Sequence, residues 1–295
     1  MRHPEWIKVT LTGTHETKKV LRHHGLTTVC EEARCPNKGA CFSRKTATFM
    51  ILGDRCTRNC SFCAVKSSAP FPPDPGEPQR VADAAQELGL TFVVITSVTR
   101  DDLPDGGAGH FAKTIQALRQ KSEGIKTEVL TPDFQGDQVA LKTVLDACPH
   151  VFNHNVETVP RLYGAVRSMA DYATSLKVLT MAKDLYPLMK TKSGIMVGLG
   201  EHEDEVLSVM QDVRNAGCDF LTIGQYLQPG RGNIPVAEYI HPEVFERYRQ
   251  RGLEMGFRAV VSSPLTRSSM NAGEMFETGS GDCADTPCHP STGSG

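Results

Sequence analysis

Aromatic side chains make up only 6% of this 295-residue chain, and Trp6 is its single tryptophan. That scarcity excludes the run of stacking rings on which single-stranded nucleic acids are held. A surplus of one charge is missing as well: 32 Lys and Arg face 34 Asp and Glu, a formal net charge of -2. Neither a polyanion partner nor an acidic interaction tail follows from such a balance. Long hydrophobic runs are absent, so no membrane span is expected, and Met1 to Thr12 carries no apolar stretch of the kind a secretory signal needs. With no Arg- and Ser-rich amphipathic leader either, the expected location is the cytoplasm, or an organelle if a transit peptide has been removed. Hydrophobic residues at 39% and charged residues at 22% describe an ordinary globular chain.

Cysteine, in contrast, is plentiful, and six of the ten lie between Cys30 and Cys63. They fall into two sets of different spacing, Cys30-x4-Cys35-x5-Cys41 and Cys56-x3-Cys60-x2-Cys63. Disulfides do not fit a chain of this length without a secretory signal. Zinc would want four ligands built from two short pairs, and only Cys60 and Cys63 form such a pair. Two iron-sulfur clusters account for both sets. A 4Fe-4S cluster normally takes four thiolates, so three leave one iron open to a substrate or another ligand.

From about residue 46 short apolar, β-branched runs alternate with amphipathic stretches. Strands are expected at 48–52, 91–97, 126–131, 151–156, 188–197, 220–225 and 259–262, and helices at 80–88, 110–121, 137–147, 171–185, 204–216 and 242–255. That alternation implies an α/β fold with a parallel sheet, open or closed into a barrel. Residues 1–45 read as an N-terminal extension, 46–278 as one domain, and 279–295, rich in Gly, Ser, Thr and Pro, as a disordered tail that includes Cys283 and Cys288. Polar and glycine-bearing segments follow the strands at 54–63, 96–107, 155–157, 198–201 and 228–232. In parallel sheets and barrels such segments meet at the active site.

The second cysteine set, with Phe62 directly before Cys63 on the loop after the first strand, resembles the signature of radical S-adenosylmethionine enzymes. Gly194-Ile-Met196-Val-Gly198-Leu-Gly-Glu201 is similar to that superfamily's fifth-strand motif, and Asn155-Val-Glu157-Thr158 to its adenosine site. The first set, together with Arg267-Ser268-Ser269, resembles the lipoyl synthase family, and the likeness runs from Arg2 to Gly273. It includes Thr96-Ser-Val-Thr-Arg100-Asp-Asp102-Leu-Pro-Asp-Gly-Gly107. Two departures stand out: Met270 where the family carries an aromatic, and Gly230-Arg231-Gly232-Asn233 in place of a more basic run.

The resemblance implies a partial (β/α)6 TIM-like barrel of parallel strands. It further implies two 4Fe-4S clusters and S-adenosylmethionine, with sulfur inserted at C6 and C8 of a protein-bound octanoyl group. Cys56, Cys60 and Cys63 would ligate the cluster that cleaves S-adenosylmethionine. Cys30, Cys35 and Cys41 would hold an auxiliary cluster, the sulfur donor, with a serine as its fourth ligand, Ser269 ahead of Ser268, beside Arg267. An alkoxide matches this soft site less well than a thiolate and so can leave as the cluster is dismantled. The cofactor would touch Phe62, Thr96, Ser97, Asn155, Glu157, Arg167 and Met196. Implied partners are an octanoylated lipoyl-carrier domain (the glycine cleavage H protein or a 2-oxoacid dehydrogenase E2 component), an electron donor such as ferredoxin or flavodoxin, and an iron-sulfur carrier protein; the chain itself would be a monomer.

Other readings stand beside these. Asn155 and Glu157 could cap a turn, Arg167 could be a solvated helix charge, and Thr96 and Ser97 could satisfy strand-end backbone. Asp101, Asp102 and Asp105 read as a polar loop in preference to a hard-metal site. His23, His24, His154 and His202 lack metal spacing and read as structural, and Cys148 and Cys218 as buried small apolar groups. At the level of function the alternatives are a biotin-synthase-like sulfur-inserting enzyme and an iron-sulfur electron carrier.

Overall fold

Runs such as Phe-Val-Val-Ile-Thr-Ser favour extended backbone because two branches at Cβ restrict the side chain in a helix and pack well on a pleated surface. In the computed structural model, which describes residues 4–8, 15–43 and 47–280, every such run forms a strand. The chain divides into two compact units, one made of Val9–Asn59 and Cys63–His150, the other of Met1–Lys8, Cys60–Phe62 and Val151–Gly295.

The first unit contains α1 (His15–His23), β1 (Thr27–Thr28), α2 (Val29–Glu32), α3 (Lys38–Ser43), β2 (Thr48–Ile51), β3 (Arg55–Cys56), β4 (Lys66–Ser67), α4 (Glu77–Glu87), β5 (Phe92–Ser97), α5 (Ala108–Lys121), β6 (Lys126–Leu130) and α6 (Gln138–Asp146). β2 and β6 flank β5 in parallel, with Thr48 opposite Val94 and Val94 opposite Glu128, and β1 adds antiparallel to β2. Parallel strands are covered on both faces, and β2 is buried at all four positions. Ile51, Ile95, Val129 and Leu141 are fully buried, each contributing roughly 1.5–3 kcal/mol. Asp137 starts α6 by accepting hydrogen bonds from the N–H groups of Val139 and Ala140.

The second unit contains β7 (Val151–Asn153), α7 (Tyr163–Val166), α8 (Tyr172–Leu185), β8 (Lys190–Val197), α9 (Glu203–Asn215), β9 (Phe220–Gln225), α10 (Pro242–Glu254), β10 (Ala259–Ser263) and α11 (Ala272–Ser280). β7, β8, β9 and β10 pair in that order, all parallel. β9 is buried at every position. Asp171 starts α8 as Asp137 starts α6, accepting from the Thr174 N–H.

The alternation expected from the sequence is therefore present, with shifts at element ends. β7 stops at Asn153, three residues early, because the chain turns at Val156–Thr158 and Glu157 takes a left-handed φ of 68°. No described helix is long and apolar enough to cross a membrane. Most of the expected tail, with Cys283 and Cys288, lies outside the described residues.

Candidate active site

The loop that carries the second cysteine set starts abruptly. Leu52, one residue past β2, has φ 68°, a conformation that is strained for a residue with a Cβ. It is held from both sides: its N–H donates to a Glu77 carboxylate oxygen at 2.8 Å and its carbonyl accepts from buried Arg100 at 3.3 Å. The loop base is closed where β3 pairs with β4, Cys56 opposite Ser67. Cys56 Sγ accepts N–H groups from Arg58 and Thr99 at 3.4 and 3.3 Å, and Cys63 Sγ accepts from Val65 at 3.4 Å. Arg58 itself is buried between Asp101 and Asp133. The aspartates read as a polar loop thus have separate jobs: Asp101 pairs with Arg58, Asp102 with Arg100, and Asp105 accepts the N–H groups of Gly107 and Gly109.

In the second unit, the middle of the same loop is stitched down through Ser61. Its hydroxyl donates to the Ala165 carbonyl at 2.7 Å, its N–H to Val166, and its carbonyl accepts from Ile234 N and Asn233 Nδ2. Phe62 and Met196, both expected at the cofactor, pack together against Val166, Leu199 and Tyr226.

The first cysteine set sits on α2, the turn after it, and α3. Cys35 and Cys41 donate backbone N–H groups to Cys30 and Asn37, which winds the segment tightly. Burial pushes the Cys30 thiol up to about 12, hydrogen bonding at Thr48 relieves part of this, and the Cys35 and Cys41 thiols push it further. None of the six cysteines is bridged in a disulfide. Three soft donors that repel one another once ionised fit a polynuclear iron site, which supplies the missing positive charge.

Beyond β7, Asn155 Nδ2 donates to Glu157 Oε1 at 3.0 Å and to Ser268 Oγ at 2.7 Å. Its Oδ1 is buried with no partner among the described residues. Opposite, Gly194 leaves open a space that a Cβ would close, since that atom would lie 2.8 Å from both Asn155 Oδ1 and Ser268 Oγ and 2.9 Å from Thr222 Oγ1. A buried acceptor without a donor costs about 1–3 kcal/mol, and a ligand hydroxyl placed there would recover it. Burial pushes the Glu157 carboxyl up, with Arg167, Asn155 and Arg267 pulling partly the other way. Arg167 is no solvated helix charge: it is 8% exposed, and its Nη1 donates to the carbonyls of Asn155 and Val156. In the first unit, the Thr96 hydroxyl is spent on the Leu130 carbonyl, whereas Ser97 Oγ is buried without a partner among the described residues. Arg267 donates to the Thr266 carbonyl, and Ser268 is taken by Asn155.

The histidine pair keeps its structural reading, through a neighbour that spacing did not show, and the burial expected of Cys148 needs correction. His23 and His24 are brought beside Glu87, with one donor atom from each of the three within 4.8 Å of one another, because the end of α1 lies on α4. Adjacent residues at a helix end can do this without the i, i+4 spacing that a mid-helix site needs. Cys148 is only half-buried, at a left-handed φ of 53°, where a buried position was expected; Cys218 is fully buried and its thiol is pushed up to about 12 by burial.

Residues 50–213 match the family model for the radical SAM superfamily. The chain is 57% identical to a lipoyl synthase of Caldanaerobacter subterraneus subsp. tengcongensis over 92% of its own length and 96% of the relative's. It is 56% identical to a lipoyl synthase of Rubrobacter xylanophilus, covering 93% and 86%, and 53% identical to one of Alkaliphilus metalliredigens, covering 94% and 96%. Among solved structures it is similar to the FeFe-hydrogenase maturase HydG from Carboxydothermus hydrogenoformans (TM-score 0.60, 14% identity, 78% of this chain and 56% of that one). A second similar structure is methylornithine synthase, PylB (TM-score 0.55, 14% identity, 88% and 85%). These structures share the fold. At more than half identity over nearly the full length, the lipoyl synthases share more than that, and neither a biotin-synthase-like enzyme nor an electron carrier is favoured. The chain belongs to the lipoyl synthase family of radical S-adenosylmethionine enzymes, which insert sulfur.

Proposed function

We propose that Cys56, Cys60 and Cys63 hold one 4Fe-4S cluster with an iron left for S-adenosylmethionine, and that Cys30, Cys35 and Cys41 with Ser269 hold a second that gives up sulfur. The carrying observation is that six cysteines, none of them in a disulfide, fall into two separate sets of three. When bound, the first cluster and its cofactor supply the one-electron cleavage that generates an alkyl-hydrogen-abstracting radical, chemistry no side chain can perform.

The residues around it hold and aim. Asn155 Oδ1 accepts a ribose hydroxyl in the space Gly194 leaves, and Glu157 takes a second. Phe62 and Met196 give the apolar wall. Ser97, whose hydroxyl is uncommitted, is better placed than Thr96 to meet the methionine portion. Arg167 fixes the Asn155–Glu157 segment through its carbonyls, a positioning task. Arg267 orders the turn that presents the two serines. Because Ser268 is engaged by Asn155 and Ser269 has no hydrogen-bond partner among the described residues, Ser269 is the freer ligand.

The substrate is an octanoyl chain on a lysine of a lipoyl-carrier domain, with sulfur entering at C6 and C8. The reducing electron comes from a ferredoxin or flavodoxin, and an iron-sulfur carrier protein refills the auxiliary site. Reconstituted enzyme, an octanoylated lipoyl-domain peptide, S-adenosylmethionine and a strong reductant test this by mass spectrometry. The expected product gains two sulfurs; 5′-deoxyadenosine formation with an unchanged peptide would refute the substrate assignment.

A further inference from the structure

The chain leaves β2 through a residue that is gripped on both sides. Leu52, only 3% exposed, sits at φ 68°, which glycine takes freely and leucine does not. Its N–H donates to Glu77 Oε2 at 2.8 Å, and the same oxygen accepts from His110 Nε2 at 2.7 Å. Oε2 accepts at both contacts, so Nε2 is the ring nitrogen assigned the proton. On the other side, the Leu52 carbonyl accepts from Arg100 Nη1 at 3.3 Å. Arg100, 1% exposed, is itself held by a fork, its Nε and Nη2 donating to Asp102 Oδ1 and Oδ2 at 2.9 and 2.8 Å. The Leu52 side chain is keyed as well, since a Cβ on Gly107 would overlap its Cδ1. Glu77 opens α4, Gly107 precedes α5, His110 lies in the first turn of α5 and Arg100 follows β5. One strained residue is thus fixed by three neighbouring elements.

Leaving a strand does not call for this arrangement. Glycine at position 52 would take the same φ unaided, and Gly53 beside it already does so, at φ 91°. A leucine there returns to an ordinary φ once its partners let go, so the turn keeps one direction only while the clamp is closed. Burying a carboxylate and a guanidinium also costs desolvation that a Gly-Gly turn avoids. What the clamp supplies is aim. Cys56 lies four residues beyond Leu52, and its Sγ receives N–H groups from Arg58 and Thr99 that reach it only if the loop enters on this line. Even the helix gives something up: α4 opens at Gly76 without a side-chain cap, while the carboxylate of its first residue is spent on Leu52.

We propose that Glu77, steadied by His110 and opposed by Arg100, is a positioning residue for the cluster-binding loop: it holds Leu52 in its left-handed turn and so presents Cys56 before iron arrives. The proposal rests on the assignment of Cys56, Cys60 and Cys63 as cluster ligands. Glu77 acts through Leu52 and adds no step to the reaction. Its part is to give the iron site a single geometry, with the hydrogen bonds on Cys56 Sγ that tune an iron-sulfur centre the same in every molecule. The polar stretch after β5 gains a task by the same account. Arg100 and Asp102 anchor the carbonyl side of Leu52, and Gly107 leaves room for its side chain.

The test uses the full chain with Cys30, Cys35 and Cys41 replaced by Ala, so that one cluster reports. Glu77→Ala removes the acceptor. Because a single oxygen accepts both bonds, Glu77→Gln keeps them while removing the charge. On the metal-free chain, hydrogen exchange of residues 53–58 is expected to rise several-fold in Glu77→Ala, with β6 at residues 126–130 unchanged. After reconstitution the same variant should lose most of its iron on gel filtration, and its reduced cluster should give a broader electron paramagnetic resonance signal than the parent's. Glu77→Gln should match the parent in exchange, iron and signal. His110→Ala, a milder cut, should move the same readouts in the same direction, and it decides the matter if Glu77→Ala lacks native circular dichroism. Parent-like exchange, iron and signal in both Ala variants overturn the proposal. So does a rise in exchange that extends through β6, which marks a merely structural role. A Glu77→Gln variant as defective as Glu77→Ala overturns it too, since the acceptor for Leu52 would then not be what counts. A parent that binds no iron overturns the ligand assignment instead, while metal-free exchange still decides whether Glu77 holds the turn.

Discussion

The two cysteine sets differ in how much scaffold surrounds them. Cys56 and Cys63 lie in a loop zipped at its base by β3 and β4, with backbone N–H groups already turned toward both sulfurs and Arg58 forked onto two strand ends. Cys30 and Cys41 lie on α2 and α3, helices of four and six residues. Helices this short do not persist on their own in water, so the first set depends on packing against α1 and β2 and on whatever its thiols bind. One cysteine set is held in advance by its surroundings, whereas the other, on the proposed function, would be completed by the cluster it takes. That is the division a cluster that is kept and a cluster that is consumed would require.

The sharpest way to break this comparison is to remove each set in turn. Replacing Cys56, Cys60 and Cys63 by Ala should lower reconstituted iron from about eight to about four per chain and abolish both 5′-deoxyadenosine and lipoyl product. Replacing Cys30, Cys35 and Cys41 should remove the same amount of iron and all sulfur insertion, yet spare 5′-deoxyadenosine formation. Product from the second variant would mean that the first set is not the sulfur source.

A gentler probe is hydrogen exchange with and without reconstitution. Amides of residues 29–43 should gain far more protection on loading than those of 56–67, since only the former lack a prior scaffold. Equal gains would erase the contrast drawn above.

Smaller still is the effect of Glu157→Gln on the metal-free chain. With its carboxyl pushed up by burial, the fold favours the protonated form; that contribution is complete below the ordinary 4.5 and is lost as pH rises through the folded value. The substitution should therefore raise Tm at pH 7 and not at pH 4, with each 1 kcal/mol gained reading as about 2–4 °C. A pH-independent difference would show that Arg167 and Arg267 already neutralise the group. Least of all should change when residues 281–295, with Cys283 and Cys288, are removed: iron content and turnover are expected to stay at the full-length values.

Much of this was legible from the residues alone, for physical reasons. Strands rich in β-branched residues and helices opened by Asp137 and Asp171 announce themselves locally, and a cysteine spacing is a ligand geometry written along the chain. The short helices α2, α3 and α7 were not legible, because four to six residues carry no period. Neither was the end of β7, three residues short of the expected one, ahead of a left-handed Glu157. Pairings across long separations were hidden as well. Arg58 finds Asp101 and Asp133 at 43 and 75 positions away, and Asn155 finds Ser268 at 113. Nothing in a run of polar residues says which arginine will claim which aspartate until the strands have set their order.

Ser61 carries a consequence for timing during synthesis. Its carbonyl is held by Asn233, 172 residues further along. At ribosomal rates of about 5–20 residues per second, that partner is made about 9–34 s after the cysteine loop has been translated. Through this interval the thiols of Cys60 and Cys63 are present while the strap over their loop is not. Iron delivered to a nascent chain would meet an open loop, and iron delivered after release would meet a closed one. Loading of this centre is thus expected to belong to the finished polypeptide, and a chain stalled before Asn233 should take up iron at these cysteines loosely and lose it on dilution.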